Sequence, residues 1–224
     1  MSMPIKVELH SHTSDDPIDR IPHSAAQLID RAVELGYAAL AITLHGRQLS
    51  LDRFAPYASE RGIVLIPGVE VSIGGRHVLL INFPAGADKV RTFEDVARLK
   101  RREARGLIVA PHPFFPAPSC LRGLMDVHAD LFDAVEYNAM YAAGLNFNRR
   151  AVRWAARHDK PLVGNCDVHR LHQLGTTCSL VDAEPDGDAI CDAIRSGRVR
   201  IASHPLSWPT AVRTFVELTM DEWR

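Results

Sequence analysis

The sequence has few cysteines, no long apolar run and no excess of charge, and each absence argues against a class of protein. Its four cysteines are widely spaced and include no Cys-x-x-Cys pair, which argues against a zinc ribbon or a dithiol redox site. No stretch of about 20 apolar residues could cross a bilayer. The 26 Lys and Arg residues and 27 Asp and Glu residues give a formal net charge of −1, so strong nucleic-acid binding is not expected.

The N-terminal segment lacks the basic and then apolar pattern of a secretory signal, so we expect a cytoplasmic protein with reduced, mostly buried thiols. Hydrophobic residues make up 46% of the sequence and charged residues 24%, an ordinary balance for a folded protein. The length of 224 residues suits one α/β domain that covers residues 1–224.

Short apolar runs alternate with segments of helical periodicity, a pattern typical of parallel strands joined by crossover helices in a barrel or an open sheet. Most runs are rich in Ile, Val and Leu, which suits strands buried on both faces. The predicted strands are Ile5–Leu9, Ala39–Thr43, Ile63–Ile66, Val69–Ser72, Val78–Asn82, Leu107–Ala110, Ala134–Tyr137, Leu162–Asn165 and Ser179–Val181. The predicted helices include Ser24–Leu35, Asn148–His158 and Asp186–Ser196.

Histidines and carboxylates recur at the ends of these predicted strands. In barrels and open α/β sheets, catalytic groups gather at the carboxyl ends of the strands, because the loops there meet over one crevice. We therefore expect side chains from distant parts of the chain to converge. The candidates are His10, His12, His45, Glu70, His112, Asp167 and His169.

Among these candidates, two pairs are separated by a single residue: His10 with His12, and Asp167 with His169. Side chains alternate along an extended chain, so residues two apart point the same way. Each pair can therefore hold one metal ion or serve two neighbouring ions. Either pair alone is a weak signal of a metal site, and the combination of the two pairs is a much stronger one.

Taken together, these segments resemble the polymerase and histidinol phosphatase (PHP) domain family of metal-dependent phosphoesterases. The similar segments follow the family's order from Val7 to Arg170. They are Glu8-Leu-His-Ser-His-Thr, Ala41-Ile-Thr-Leu-His-Gly, Gly68-Val-Glu-Val, Arg76-His-Val-Leu-Leu, Ala110-Pro-His-Pro and Gly164-Asn-Cys-Asp-Val-His-Arg. The resemblance implies an α/β fold, a distorted (β/α)7 TIM-like barrel.

The resemblance also implies a site for two or three divalent metal ions, with Glu70 bridging the first two. The implied ligands of the first ion are His10, His12, Glu70 and Asp167. Those of the second, which shares Glu70, are His77 and His112. Those of the third are Asp16, His45 and His169.

A ligand set of imidazoles and carboxylates suits Zn, Mn or Fe. The expected reaction is hydrolysis of a phosphoester in a small phosphorylated metabolite or nucleotide by a hydroxide that bridges two metals. Glu70, Asp167 and His112 are the expected catalytic residues, with Asp167 able to orient the attacking water or accept its proton. Arg47 and Arg170 closely follow motif histidines and are candidates to bind the phosphate, because a guanidinium offers bidentate donors.

Some positions depart from the family pattern. The segment Thr13-Ser-Asp-Asp-Pro is shorter than the usual spacer, so Asp15 competes with Asp16 for the ligand role. Leu44 stands where most members have Asp, and Cys166 replaces a common Ser and is expected to fill core space. Glu136-Tyr-Asn138 ends another predicted strand and resembles a family segment near the site.

Two other functions stay open. A metal-dependent amidohydrolase uses similar chemistry but predicts a bridging Lys at the carboxyl end of a strand, whereas Lys6 lies near the start of one. A non-catalytic regulatory domain would be expected to lack some metal-ligating residues, whereas this sequence has a candidate for every class of ligand. Histidines outside the motifs, such as His23, are expected on the surface, and His172 is a weaker candidate for a supporting role.

Overall fold

A computed structural model describes residues 3–222, including the side chains of residues 3–217. The strands are β1 (Ile5–Glu8), β2 (Ala39–Ile42), β3 (Val64–Ile73), β4 (Arg76–Ile81), β5 (Leu107–Ala110), β6 (Ala134–Asn138), β7 (Leu162–Asn165), β8 (Thr177–Val181) and β9 (Val199–Ser203). The helices are α1 (Ala25–Glu34), α2 (Ala55–Ser59), α3 (Phe93–Arg102), α4 (Leu124–Val127), α5 (Asn148–Arg157), α6 (Gly187–Arg195) and α7 (Trp208–Glu222). Within the described range, no helix has the length and apolar character that a membrane span requires.

One nine-stranded sheet curls into a distorted barrel, which confirms the predicted fold class. Strands β1 to β7 are neighbours in chain order, and β8 and β9 extend the sheet beyond β1. At the carboxyl ends, Ser11 forms a parallel bridge to Val168 and joins the chain after β1 to the chain after β7. Further down, the Ser179 hydroxyl of β8 accepts from the Gly164 amide at 2.9 Å and donates to the Gly164 carbonyl at 3.1 Å. Strand β8 thus fills the gap between β1 and β7.

The expected parallel arrangement does not hold at β4, which runs antiparallel to both β3 and β5, or at β8, which runs antiparallel to β1. The chain reverses at Gly74 and Gly75, whose φ angles of 56° and 77° are those that a tight hairpin turn requires. The runs Ile63–Ile66 and Val69–Ser72, predicted as two strands, form the single strand β3. Strand β9 was not predicted, because its residues are half-buried or exposed and give little apolar signal.

The helix predictions are confirmed to within about a residue at each end. Ser24 caps α1 through a reciprocal pair of bonds with Gln27, and the chain leaves that helix through Gly36 with a φ of 72°. Asp186 caps α6 by accepting from the Ala189 amide at 3.0 Å. The four cysteines are free and buried, as expected, and Cys166 fills core space.

Helix α6 covers the end of the barrel opposite the carboxyl ends of the parallel strands. Its Ile190 and Ile194 pack in the same buried cluster as inward-facing strand residues such as Ala41. Asp188 accepts from Asn82 and Arg105, each at 2.7 Å, and so ties the helix to loops at that end. One end is therefore plugged by apolar packing, and the other end is left for the polar residues.

We predict that Gly164→Ala lowers the free energy of unfolding by about 1–3 kcal/mol, the usual penalty for overpacking a buried site. A Cβ at this position would lie 2.8 Å from the Cys178 carbonyl oxygen and 2.9 Å from the Ile201 side chain, where the barrel closes. Urea unfolding measures the change. Gly123→Ala is the matched control, because its Cβ would meet no atom within 4 Å. Equal stability of the two variants would contradict the tight packing at Gly164, where the barrel closes.

Candidate metal centre

Backbone pairing beyond the strand ends brings the predicted ligands together. Because Ser11 pairs with Val168, the residues on either side of each, His10 and His12 on one strand and Asp167 and His169 on the other, share one face. A second parallel bridge sets His45 beside Glu70, with the Gly46 amide bonded to the Glu70 carbonyl at 2.7 Å. The predicted convergence of these side chains is therefore present in the structure.

The buried carboxylate of Glu70 lies at the centre of five imidazoles. Its Oε2 is close to three Nε2 atoms, and its Oε1 is close to two further ring nitrogens. The distances are 3.1 Å to His10, 3.3 Å to His12 and 3.2 Å to His45 from Oε2, and 2.7 Å to His77 and 3.4 Å to His112 from Oε1. One carboxylate thus faces two groups of nitrogen donors with its two oxygens.

Asp167 supplies a second carboxylate to the same cluster. Its Oδ1 lies 3.2 Å from His10 Nε2, 3.5 Å from His12 Nε2 and 3.4 Å from His169 Nδ1. Its backbone φ is 54° and that of His112 is 29°, values that non-glycine residues adopt at a cost of about 1–3 kcal/mol. Such backbone strain is typical of functional sites, where the surrounding contacts hold it in place.

Four groups of three residues each have ligand atoms within 4.8 Å of one another. They are His10 with His12 and Asp167, His10 with Glu70 and His112, His45 with Glu70 and His77, and His12 with His45 and His169. The first group consists of ligands expected for the first ion. The second combines Glu70 and His112, expected at the second ion, with His10 from the first. The third joins Glu70 and His77 of the second set with His45 of the third, and the fourth joins His45 and His169 of the third set with His12 of the first.

Asp16 lies behind the imidazoles. Its Oδ2 is 3.0 Å from His12 Nδ1 and 3.1 Å from His45 Nδ1, and it accepts from the His45 amide at 2.9 Å. These contacts turn both Nε2 atoms towards Glu70. Asp15, the alternative from sequence, makes none of these bonds, and its backbone carbonyl accepts from Arg47. The carboxylate at Nε2 of His169 belongs instead to Asp19, whose Oδ2 lies at 3.0 Å and which no motif marked.

Two further buried carboxylates hold the ligands in place. Glu136 Oε1 lies 3.0 Å from His10 Nδ1, and its Oε2 accepts from the His112 amide at 2.6 Å. Glu8 accepts from the His10 amide at 3.1 Å and from the Cys166 amide at 3.0 Å, and burial raises the pKa of Glu8 to about 8. Both residues lie in segments that resemble the family, but their part in holding the ligands was not predicted, although a carboxylate inside a strand is an available signal, since buried acids usually meet a partner.

The electrostatics of the cluster favour a cation. Burial alone would raise the pKa of Glu70, but the charges of His77 and His10 hold this pKa well below its usual range. Burial alone would lower the pKa of His10, but Asp167 and Glu70 raise it well above the usual value. Ionised carboxylates are thus balanced by protons on imidazoles. Divalent ions would replace those protons, because a ligating imidazole must be neutral.

Buried atoms without hydrogen bonds show that these residues fit metal ions. His12 Nε2, Glu70 Oε1, His77 Nδ1 and Asp167 Oδ1 are all buried and form no hydrogen bond. Metal bonds of about 2.0–2.2 Å place two ligands of one ion about 3.0–3.6 Å apart, close to most of the separations here. A bound ion would satisfy each of these atoms.

A cavity of about 520 Å³ opens above the cluster and is lined by Glu70, His77, His112, Asp167 and His169 among others. Arg20 also lines it, whereas Arg47 and Arg170, the arginines singled out from sequence, do not. Arg47 is exposed and bonded to the Asp15 carbonyl, and Arg170 donates to the His169 carbonyl at 2.8 Å. Arg20 stands in a loop without a recognisable motif.

The surface placement expected for His23 is wrong. Only 3% of this residue is exposed, and its Nε2 bonds the His12 carbonyl at 2.9 Å. Burial lowers the pKa of His23 to about 4, which keeps the ring neutral. His172 does not reach the cluster, and its Nε2 lies 3.3 Å from the Thr214 hydroxyl.

Comparison with known proteins gives short matches in sequence. A family model described as PHP-associated matches residues 146–199. The PolC-type DNA polymerase III of Lactococcus lactis is 37% identical over 68 residues, which are 30% of this chain and 4% of the polymerase. A 3′,5′-nucleoside bisphosphate phosphatase of Chromobacterium violaceum is 38% identical over 78 residues, which are 34% of this chain and 26% of the phosphatase. The chain thus spans well under two thirds of these relatives.

Solved structures match over nearly the whole chain. A two-domain protein from Bacteroides vulgatus, said to contain a predicted PHP-like metal-dependent phosphoesterase, superposes with a TM-score of 0.68 at 18% identity. The match covers 96% of this chain and 69% of that one. The lesion-specific endonuclease PfuEndoQ from Pyrococcus furiosus gives a TM-score of 0.59 at 15% identity, covering 95% and 66%. At these identities the likeness confirms the fold.

Proposed function

We propose, starting from the confirmed resemblance to the PHP family of metal-dependent phosphoesterases, that this protein is a metal-dependent hydrolase. Its substrate is a phosphoester of a small phosphorylated metabolite or nucleotide. The observation that carries the proposal is a buried carboxylate, Glu70, within 3.4 Å of nitrogens from five imidazoles on the floor of a cavity.

The donor set suits two or three ions of Zn, Mn or Fe, with Glu70 bridging two of them. Such ions, when bound, supply an activated water and neutralise charge on the phosphoryl oxygens. Asp167 also lines the cavity, and its Oδ2 accepts from the side-chain Nδ2 of Asn138 at 3.4 Å. Its position suits it to orient the attacking water or take its proton. Glu136 and Asp16 fix the rings of His10, His12 and His45.

Two features weigh against the alternatives. An amidohydrolase of this type would use a bridging Lys, and no Lys lies among the described residues that line the cavity. A purely regulatory domain would have no need to keep a strained backbone at two ligands, His112 and Asp167. Hydrolysis of a phosphoester therefore accounts for more of the site than either alternative.

Arg20 is the phosphate-binding residue in this proposal. It is the one Arg or Lys among the described residues that line the cavity, and its guanidinium has no hydrogen bond or ion pair to the described part of the protein. We expect Arg20→Ala to reduce kcat/KM about 10- to 100-fold, the loss of a charge-assisted pair, without loss of metal. Arg47→Ala is the matched control, since Arg47 is exposed outside the lining. A larger loss of kcat/KM in Arg47→Ala than in Arg20→Ala would assign phosphate binding to Arg47 instead.

Turnover assays test the function itself. The purified protein, supplied with Mn or Zn, is screened against phosphomonoesters, phosphodiesters and, in parallel, amide substrates. The proposal expects release of phosphate or of an alcohol from at least one ester, and loss of this activity when the ions are chelated. Cleavage of amides alone, or ester turnover that survives chelation, would overturn it.

A further inference from the structure

The lining of the cavity is polar at the metal cluster and mostly apolar elsewhere, with Ser119 and Tyr141 as polar exceptions. The apolar part comes from the loop after β5, the loop after β6 and the start of α7. We refer to it as the apolar wall, made of Phe115, Phe147, Trp208, Val212 and Phe215. The rings of Phe115 and Phe147 lie 5.4 Å apart and are tilted by 52°. A wall of this kind has few groups that could recognise a hydroxylated alcohol, but it offers flat surfaces to a ring.

Helix α7 turns its aromatic face towards the cavity. Trp208, Val212 and Phe215 follow the spacing of one helical face, and all three line the cavity. The side of α7 that packs on the protein carries Thr214, which is 1% exposed and lies 3.3 Å from His172 Nε2. An amphipathic helix normally buries its apolar face and exposes its polar one. Here the arrangement is reversed at the cavity.

The exposure of these side chains is large. Trp208 is 53% exposed and Phe215 62%, and the other Trp and Phe side chains among those described are buried or half-buried. Leaving such surface in water forgoes the free energy that burial would provide, so exposed apolar patches usually mark a binding site. The patch is continuous with the lining that holds Glu70 and Arg20, which indicates one ligand that touches both parts.

We propose that the apolar wall binds the organic group of the phosphoester, so that the enzyme prefers alcohols carrying an aromatic ring over small polar alcohols. This inference rests on the proposed hydrolytic function and specifies its substrate class. The phosphoryl group lies at the cluster and Arg20, and the ring packs on Trp208 and its neighbours. A cavity of about 520 Å³ falls within the range of small-molecule sites and has room for both parts.

The first test compares benzyl phosphate with glycerol 1-phosphate, since both release a primary alcohol, one with an aromatic ring and the other with two further hydroxyl groups. We expect kcat/KM for benzyl phosphate to exceed that for glycerol 1-phosphate about tenfold or more. Trp208→Ala should reduce this ratio about tenfold. Val212→Ala should reduce it by a smaller factor. Val216→Ala, on the same helix but outside the lining, is the matched control and should preserve the ratio. A ratio near one in the wild type would overturn the inference while leaving hydrolysis in place.

A second measurement does not depend on turnover. Calorimetry compares binding of benzylphosphonate and methylphosphonate to the Zn-loaded protein and to its Trp208→Ala variant. The inference expects the benzyl compound to bind about tenfold more tightly, and this advantage to fall in the variant. If no ester is hydrolysed but the ring still strengthens binding, the wall is supported and the hydrolytic proposal fails. If the two phosphonates bind equally, the wall has no such role.

Discussion

Glu70→Gln is expected to reduce kcat/KM for any phosphoester substrate by about 1000-fold or more and to remove most of the bound metal. The carboxylate faces five imidazole nitrogens with two oxygens, so it contributes to both of the ions that it is predicted to bridge. Glutamine keeps the shape but removes the charge and turns an NH2 group towards nitrogen donors. Steady-state kinetics with added Mn, together with elemental analysis of the same sample, measures both effects.

The matched control is Glu94→Gln, the same chemical change at an exposed position of α3. It should leave kinetics and metal content within about twofold of the wild type, as expected for a surface position away from the site. Circular dichroism establishes that both variants are folded. A Glu70→Gln protein with turnover within tenfold of the wild type would show that the bridging role is wrong.

Asp16→Asn is expected to weaken metal binding about 10- to 100-fold, the usual effect of removing a group that orients metal ligands. The Oδ2 of Asp16 contacts the Nδ1 atoms of both His12 and His45. Although burial opposes the shift, Asp16 together with Asp167 and Glu70 raises the pKa of His12 to about 10. The side-chain amide of the introduced asparagine can satisfy the hydrogen bonds of these two rings only in part. Titration of activity and of metal content against Mn concentration measures the shift.

Asp15→Asn is the matched control, because the sequence alone left Asp15 and Asp16 as competing candidates. Asp15 makes no hydrogen bond to a cluster histidine, so its variant should follow the wild-type titration curve. High Mn should restore the activity of Asp16→Asn, as expected for a residue that positions ligands. A right shift of the curve in Asp15→Asn alone would reverse the assignment.

The convergence of His10, His12, Glu70 and Asp167 could be predicted from sequence, because strand ends and alternating side chains obey simple geometry. The barrel could be predicted for the same reason, and the structure confirms it. Strand β4 was predicted as Val78–Asn82, but its antiparallel direction was not, although Gly74 and Gly75 carried the hairpin signal.

The remaining differences arise from long-range contacts that no local pattern encodes. Arg20 reaches the cavity from a loop without periodicity, and the position of Asp19 beside His169 depends on residues 150 positions apart. The segment around His23 has the composition of a surface loop, but the folded chain buries the His23 side chain. The roles assigned to individual site residues stay predictions, as do the single domain over residues 1–224 and cytoplasmic residence.

Metal stoichiometry is the most direct test of whether one carboxylate and its surrounding imidazoles share cations. The wild-type protein is incubated with Zn or Mn, dialysed against metal-free buffer and examined by elemental analysis. We predict about two or three ions per chain, as expected for a bridged site of this kind. A ratio of about zero under both conditions would contradict the account.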